Sequence, residues 1–253
     1  MGKIKKIIVF IPAYNAEKTI ISVLERFPKQ LITRVSEILI LDNGSRDKTY
    51  ETAINYKKRK KLGKLTVLKN ENNLGYGGSK KRAFKYAIGK GYDIFVMVHS
   101  DGQYPPEKAI DMIKPIEDGN ADLVIGSRIN AIKGGMKFWK FAGNRILTSV
   151  ENIVFGLSLS ELHSGYKAYN VHALNEINID ALDNDHIISS ETIMLFKVKK
   201  FRIKEILIPT YYSKNTTECS FKTSFKYGID VFKLIVSYIL YNLGLKSNKK
   251  LFA

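Results

Sequence analysis

Through its first half the chain alternates two kinds of hydrophobic pattern. Short, unbroken apolar runs occupy 7–12 (IIVFIP), 38–42 (ILILD), 65–69 (LTVLK), 94–99 (IFVMVH) and 123–126 (LVIG). They are rich in β-branched residues and lack in–out alternation, which predicts strands covered by helices on both faces. Between them the spacing becomes helical. Ile20, Ile21, Val23, Leu24 and Phe27 fall at i, i+1, i+3, i+4 and i+7, with Asn15 placed to cap that helix. Ser45 is placed to cap a second helix starting near Asp47, and Ser79 a third that reaches about Ile88. Pro105 and Pro106 suit the first turn of a fourth. The alternation predicts an α/β fold: an open, mostly parallel sheet with helices on both faces.

Beyond Arg128 the rhythm changes. Gly134 and Gly135 break the chain, and then 138–155 reads as a helix, 165–170 as a strand, 189–199 as a helix and 202–209 as a strand. No linker rich in Pro, Gly or Ser separates the halves, so one domain over 1–222 is expected. The remainder, 223–253, reads as a basic amphipathic helix over 224–245 with a frayed basic end.

Composition narrows the classes. At 253 residues with 45% apolar and 26% charged side chains, the chain is globular rather than disordered or fibrous. The 41 Lys and Arg against 24 Asp and Glu leave a net charge of +17. Such an excess calls for an anionic partner, whether nucleic acid, acidic lipid headgroups or a phosphorylated substrate. A single Cys219 excludes an internal disulfide framework and a cysteine zinc cluster, and makes a reducing compartment the default. The run 7–11 is too short for a signal sequence. The longest candidate for a spanning segment, 231–245, is interrupted by Lys233 and Asn242, so the expectation is a chain that does not cross a membrane unaided.

In open α/β sheets, ligands bind beyond the carboxyl ends of the strands. Those ends carry Pro12-Ala13-Tyr14-Asn15, Asp42-Asn43-Gly44-Ser45, His99-Ser100-Asp101-Gly102-Gln103 and Gly126-Ser127-Arg128. Singly, each is an ordinary turn; together they gather carboxylates and a guanidinium on one rim. Gly75-Tyr76-Gly77-Gly78 lacks the dinucleotide-binding spacing, and no P-loop, zinc-protease or nucleophile-elbow motif occurs.

Seven segments in order carry a family resemblance over roughly 5–215. They are Ile11-Pro12-Ala13-Tyr14-Asn15, Leu41-Asp42-Asn43-Gly44-Ser45-Arg46-Asp47-Lys48-Thr49, Asn72-Asn73-Leu74-Gly75-Tyr76-Gly77-Gly78 and Ser100-Asp101-Gly102-Gln103-Tyr104-Pro105-Pro106-Glu107. Asp122-Leu123-Val124-Ile125-Gly126-Ser127-Arg128, His163-Ser164-Gly165-Tyr166-Lys167-Ala168-Tyr169 and Ile208-Pro209-Thr210-Tyr211-Tyr212 complete the set. The chain resembles inverting glycosyltransferases of family 2 with the Rossmann-like GT-A fold, in particular the dolichyl-phosphate mannose and glucose synthases.

The resemblance implies a donor and a divalent cation. Pro12, Ala13, Tyr14 and Asn15 would line a nucleoside pocket, with Glu17 near the ribose and Asp42 and Asn43 at the base. Gly75, with Gly77 and Gly78, would admit the nucleotide to the backbone, beside Lys81 or Arg82. Ser100 and Asp101 would face the diphosphate, and Asp101 with Gln103 would hold Mg2+ or Mn2+. The family's first metal-binding aspartate is replaced by His99, which is either a nitrogen ligand favouring Mn2+ or a strand-end histidine outside the metal shell. Arg128 would stabilise the leaving diphosphate, with Arg145 and Lys167 as further phosphate contacts. Glu191 would serve as base for a hydroxyl acceptor or cap its helix, and Asp185 and His186 would belong to the same acceptor loop.

Charge concentrates late in the chain, with twelve Lys or Arg against three acids over 197–253. Interleaved Phe221, Phe225, Tyr227, Phe232, Tyr238 and Tyr241 point to an anionic membrane surface. The plainer alternative packs Phe225, Ile229, Phe232 and Val236 on the domain. The sequence thus predicts a metal-dependent enzyme moving a hexose from a GDP-mannose or UDP-glucose type donor to polyprenyl phosphate. Its expected site is cytoplasmic, peripheral on the inner face of the membrane. A glycan hydroxyl is the alternative acceptor. Outside enzymes, a degenerate transferase or an anionic-ligand-binding protein remains open. Nucleic acid is not expected, because the rim acids would repel its phosphates. The oligomeric state is not legible.

Overall fold

The computed structural model describes residues 4–129, 131–212, 216, 220–245 and 249–252. Cys219 and Lys246 lie outside them. The elements run β1 (Ile7–Ala13), α1 (Ile20–Glu25), α2 (Lys29–Arg34), β2 (Glu37–Asp42), α3 (Thr49–Lys60), β3 (Leu65–Lys69), α4 (Gly75–Gly89) and β4 (Ile94–Met97). There follow α5 (Ala109–Glu117), β5 (Leu123–Ile129), α6 (Phe138–Phe155), β6 (Lys167–Asn170), α7 (Val171–Asn175), α8 (Ile188–Val198), β7 (Ile203–Pro209), α9 (Phe221–Asn242) and α10 (Lys249–Phe252).

The seven strands form one sheet in the order β3-β2-β1-β4-β6-β5-β7. β6 runs antiparallel to both β4 and β5, while β1–β2, β2–β3, β1–β4 and β5–β7 pair in parallel. β1, β2, β4 and β5 are buried on both faces, as their pattern required, while β3 at the sheet edge buries Leu65 and Val67 and leaves Thr66 and Leu68 only part-buried. Ile8, Phe10, Leu39 and Phe95 face one core, shared with α4, α8 and α9. Ile7, Val9, Ile40 and Val96 face the other, shared with α1, α3 and α5. Two independent apolar layers over a mostly parallel sheet leave the strands' carboxyl ends as the one edge where loops gather.

The predicted caps are not where the helices start. Asn15 sits in the left-handed region at φ 50°, and its side chain accepts a hydrogen bond from Arg46 N instead of capping α1. Ser45 donates to Asp42 Oδ1, and α3 begins only at Thr49. Ser79 lies inside α4, which starts four residues earlier at Gly75. Asn15 and Ser45 tie the rim loops to one another, a use of Asn and Ser that competes with capping. Pro106 opens a 3-10 turn that leads into α5, as its fixed φ favours.

α9 buries Val231, Leu234 and Ile235 against the main core. Phe225, Ile229, Phe232 and Val236, the stripe that could have packed on the domain, is instead exposed, at 65% for both Phe225 and Phe232. Among the described residues, no helix is long and apolar enough to cross a membrane.

Candidate active site

A cleft of about 1110 Å³ opens at the carboxyl edge of the sheet. Its polar end is built by the strand termini. Pro12, Ala13 and Tyr14 follow from β1, Asn43 from β2, His99, Ser100, Asp101 and Gln103 from β4, and Arg128 from β5, and all of them line it. Gly75 lines it too, at the start of α4. Asn15, Glu17, Asp42, Lys81 and Glu191 do not line it.

The residues behind the rim have structural work. Glu17 accepts from Lys48 N, at 3.2 Å, knitting the loop after β1 to the loop after β2. Asn43 donates to Asn73 Oδ1 and Gly75 O and accepts from Asn70 Nδ2 and Leu74 N. All its polar capacity is thereby spent on holding α4's approach. Asp42 is fully buried; its Oδ1 accepts from Ser45, while Oδ2 has no partner among the described residues.

The glycines at α4 admit protein, not only ligand. Gly77 N and Gly78 N donate to Asn184 O at 2.8 and 3.2 Å. A Cβ on Gly77 would sit 2.4 Å from Asp183 O, and one on Gly75 2.4 Å from Asn184 O. Lys81, expected at the nucleotide, reaches Leu182 O at 2.7 Å on the same loop. Helix α4 thus anchors segment 182–187, which brings Asp185 and His186 into the cleft. The His186 ring stacks on Tyr76 at 4.7 Å. Asp185 pairs with Lys226 of α9 at 2.7 Å, and that hydrogen bond holds its carboxyl below the usual range.

Glu191 faces the same segment. Its Oε2 accepts from Asp183 N at 2.8 Å, and burial pushes its carboxyl up to about 7. The residue sits in the first turn of α8 and does not line the cleft. Arg128 does line the cleft, but it is 4% exposed and its guanidinium is paired with Glu161, with Nη1 donating to Tyr212 Oη at 2.9 Å. Its charge is already balanced within the protein. Lys167 is fully buried, donating to Leu162 O and Ser164 O, and burial followed by the nearby Arg128 brings it down to about 7. Arg145 of α6 donates to Ser160 O. Neither extends into the cleft as a phosphate contact.

At the end of β4, Asp101 Oδ1 accepts from Gln103 N at 3.0 Å, across a turn in which Gly102 has φ +71°. His99 packs edge-on against Tyr104, with ring centroids 4.9 Å apart. A Cβ on Gly165 would lie 2.3 Å from its Nε2, so glycine is required where the imidazole meets β6's approach. Burial holds His99 neutral, down at about 4, and Nε2 has no hydrogen-bond partner among the described residues. No group of three or more His, Cys, Asp or Glu that could hold an ion occurs among the described residues. A site with one carboxylate fits a hard cation that arrives with a diphosphate, since Mg2+ commonly uses one or two carboxylates plus substrate oxygens.

Past the polar end, the cleft continues between α6 and α9, over Trp139, Ile146, Phe221, Phe225, Ile229 and Phe232. This apolar arm, and the polar His163 and Tyr227 where the two ends meet, were not identified from sequence as parts of one site. The arm is legible in retrospect. At 100° per residue, Phe221, Phe225, Ile229, Phe232, Val236, Ile239 and Leu243 fall within an arc of about 80°, and each is exposed.

Comparisons with known proteins agree with this geometry. The model of a family described as Glycosyl transferase family 2 matches residues 8–177. A UDP-N-acetylglucosamine--dolichyl-phosphate N-acetylglucosaminyltransferase of Methanococcus voltae is 30% identical over 222 residues, covering 83% of this chain and 87% of the relative. An undecaprenyl-phosphate mannosyltransferase of Micrococcus luteus is 28% identical over 183 residues, covering 71% and 72%. Among solved structures, glucosyl-3-phosphoglycerate synthase from Mycobacterium tuberculosis, in complex with Mn2+, UDP-glucose and phosphoglyceric acid, superposes with a TM-score of 0.69. It is 19% identical, over 96% of this chain and 82% of that one, a likeness of fold.

Proposed function

The chain belongs to glycosyl transferase family 2 and is a glycosyltransferase of GT-A fold, and from that premise we propose that it moves a hexose from a nucleoside-diphosphate sugar to polyprenyl phosphate. The observation that carries this reading is the cleft's two-ended character. One end presents Asp101, Gln103 and the β1 loop; the other presents exposed aromatic and aliphatic side chains of α6 and α9. A sugar nucleotide is polar throughout and suits the first end. A polyprenyl phosphate is a charged head on an apolar tail and suits the junction and the arm. The named activities of the M. voltae and M. luteus relatives support the acceptor class.

Asp101 is the carboxylate that would hold a divalent cation with the donor's diphosphate, and when bound that cation neutralises charge on the departing nucleotide. Gln103 N–H fixes the Asp101 carboxylate, and Gly102 makes the turn that permits it. His99 is best read as the wall of the site, its nitrogen against Gly165, and Arg128 as a buried pair that shapes the floor. Pro12, Ala13 and Tyr14 form the nucleoside wall. Attack by a phosphate oxygen needs no strong base, because that oxygen is already anionic. This agrees with Glu191 facing Asp183 N rather than the cleft.

The membrane reading extends the same geometry. The apolar stripe of α9 is flanked by the exposed Lys222, Lys226 and Lys233. Apolar insertion plus attraction of cations to an anionic leaflet is the usual basis of peripheral attachment. The reading is tested by presenting UDP- and GDP-hexoses with Mg2+ or Mn2+ and undecaprenyl phosphate. Lipid-linked sugar should form with one of them. Transfer only to a free glycan hydroxyl would replace it.

A further inference from the structure

A chain of polar side chains runs behind the junction of the cleft's two ends and has no part in the reaction as described. Glu151 of α6 is wholly buried, and its Oε2 lies 3.3 Å from His163 Nε2. His163 Nδ1 is 2.9 Å from Tyr227 Oη, and Tyr227 Oη is 3.0 Å from Ser190 Oγ of α8. His163 and Tyr227 both line the cleft, where the polar end gives way to Phe225 and Ile229. Neither Glu151 oxygen nor His163 Nε2 makes a hydrogen bond of good geometry among the described residues, and the Ser190 hydroxyl lies near the same carboxyl. A buried polar network of this kind is costly unless its donors and acceptors are matched.

We propose that Glu151 and His163 are positioning residues that make the Tyr227 hydroxyl a hydrogen-bond donor to the phosphate of the acceptor. This deepens the polyprenyl-phosphate reading and rests on it. The argument is a count of protons. A phenol oxygen accepts two hydrogen bonds and donates one. If Glu151 carries its proton and donates to His163 Nε2, the imidazole's own proton must sit on Nδ1 and point at Tyr227. Either hydroxyl of the Ser190–Tyr227 pair can donate; with Ser190 Oγ–H as the donor, it supplies the second bond to the same oxygen. Tyr227 O–H is then left with no acceptor in the protein, and an anionic oxygen entering the junction takes it. No proton leaves the chain, and no covalent bond forms or breaks.

The electrostatics are consistent with that proton arrangement. Burial raises the Glu151 carboxyl to about 7, and burial with nearby Lys167 and Arg128 drives His163 down to about 3. Below about pH 7 the result is a protonated acid against a neutral imidazole. Burial raises the Tyr227 phenol as well, keeping its proton in place.

The chain's sole tryptophan, Trp139, lines the apolar arm and packs on Phe221 at 5.3 Å, so its fluorescence reports occupancy. Farnesyl phosphate and farnesol, which share a tail and differ in the head, are titrated against the full chain. Wild type should bind the phosphate more tightly. Tyr227→Phe should weaken farnesyl phosphate about tenfold, the loss of roughly one charge-assisted hydrogen bond, and leave farnesol unchanged. Glu151→Ala should match it, while Glu151→Gln, whose amide N–H donates to the same nitrogen, should recover most of the affinity. Equal weakening of both ligands in Tyr227→Phe would mean a merely structural role and overturn the proposal, as would unchanged phosphate binding. Wild type that does not distinguish phosphate from alcohol would overturn the acceptor reading itself. Circular dichroism on each variant identifies any that fail to fold, and Ser190→Ala, which removes one donor to the same phenol, then tests the count independently: unchanged phosphate selectivity there contradicts it.

Discussion

Asp101 is the carboxylate at the end of β4 that lines the cleft, and Asn in its place keeps the shape and the Gln103 N–H bond while removing the charge. Asp101→Asn is expected to lower transfer by at least about a thousandfold, since electrostatic stabilisation of the leaving group is usually the largest catalytic term, with a melting temperature within a few degrees of wild type. Residual transfer near wild-type level, measured with saturating Mn2+, would remove Asp101 from the chemistry. Glu191 gives the converse expectation. Its carboxylate serves Asp183 N, so Glu191→Gln should retain kcat within roughly threefold, the order expected for a change outside the reacting groups. A pH dependence also follows from Glu151, which burial raises from 4.5 to about 7. A carboxyl raised on folding stabilises the native state while protonated. That contribution is complete below about pH 4.5 and is lost as pH climbs through about 7. Melts from pH 4.5 to 8 should show wild type losing stability relative to Glu151→Gln; parallel curves would mean that the carboxyl is not held protonated.

At the scale of elements, α4 and segment 182–187 form one device. Gly77→Ala puts a methyl 2.4 Å from Asp183 O, and neither backbone can yield without losing the Gly77 N–Asn184 O bond. The variant should be destabilised by about 1–3 kcal/mol, the range for overpacking, and should bind acceptor more weakly because Asp185 and His186 shift. Urea unfolding with donor and acceptor titrations would check both, and wild-type stability would show that the segment is not docked there. The strands were legible because a run buried on both faces is apolar whatever lies against it. The direction of β6 was not, since Lys167–Asn170 reads the same parallel or antiparallel. Partners were the hardest to foresee. Gly75 and Gly77 announced a close approach but not that Asn184 makes it, and Arg128 announced a cation but not that Glu161, thirty-three residues on, neutralises it. The α9 stripe was visible as a period, and only the packing of Val231, Leu234 and Ile235 shows which face the core took.

For the whole molecule, the proposed membrane attachment draws on the +17 charge and the exposed stripe of α9 together. Each basic group near an anionic leaflet contributes ~1 kcal/mol, and that share is screened by salt whereas apolar insertion is not. Vesicles containing phosphatidylserine should retain the protein at low salt and release most of it at high salt. Phe225→Ser with Phe232→Ser should lower retention at both. Equal binding to neutral vesicles would exclude the electrostatic contribution.

The most direct measurement follows a labelled hexose from UDP- or GDP-sugar into solvent-extractable lipid, with undecaprenyl phosphate and Mn2+ or Mg2+ supplied. The cleft's two ends predict label in the lipid phase that requires both the divalent cation and the lipid phosphate, and that disappears in Asp101→Asn. Label that stays in water with every sugar nucleotide, while a glycan hydroxyl is glycosylated by the same protein, would contradict the assignment of the apolar arm to the acceptor.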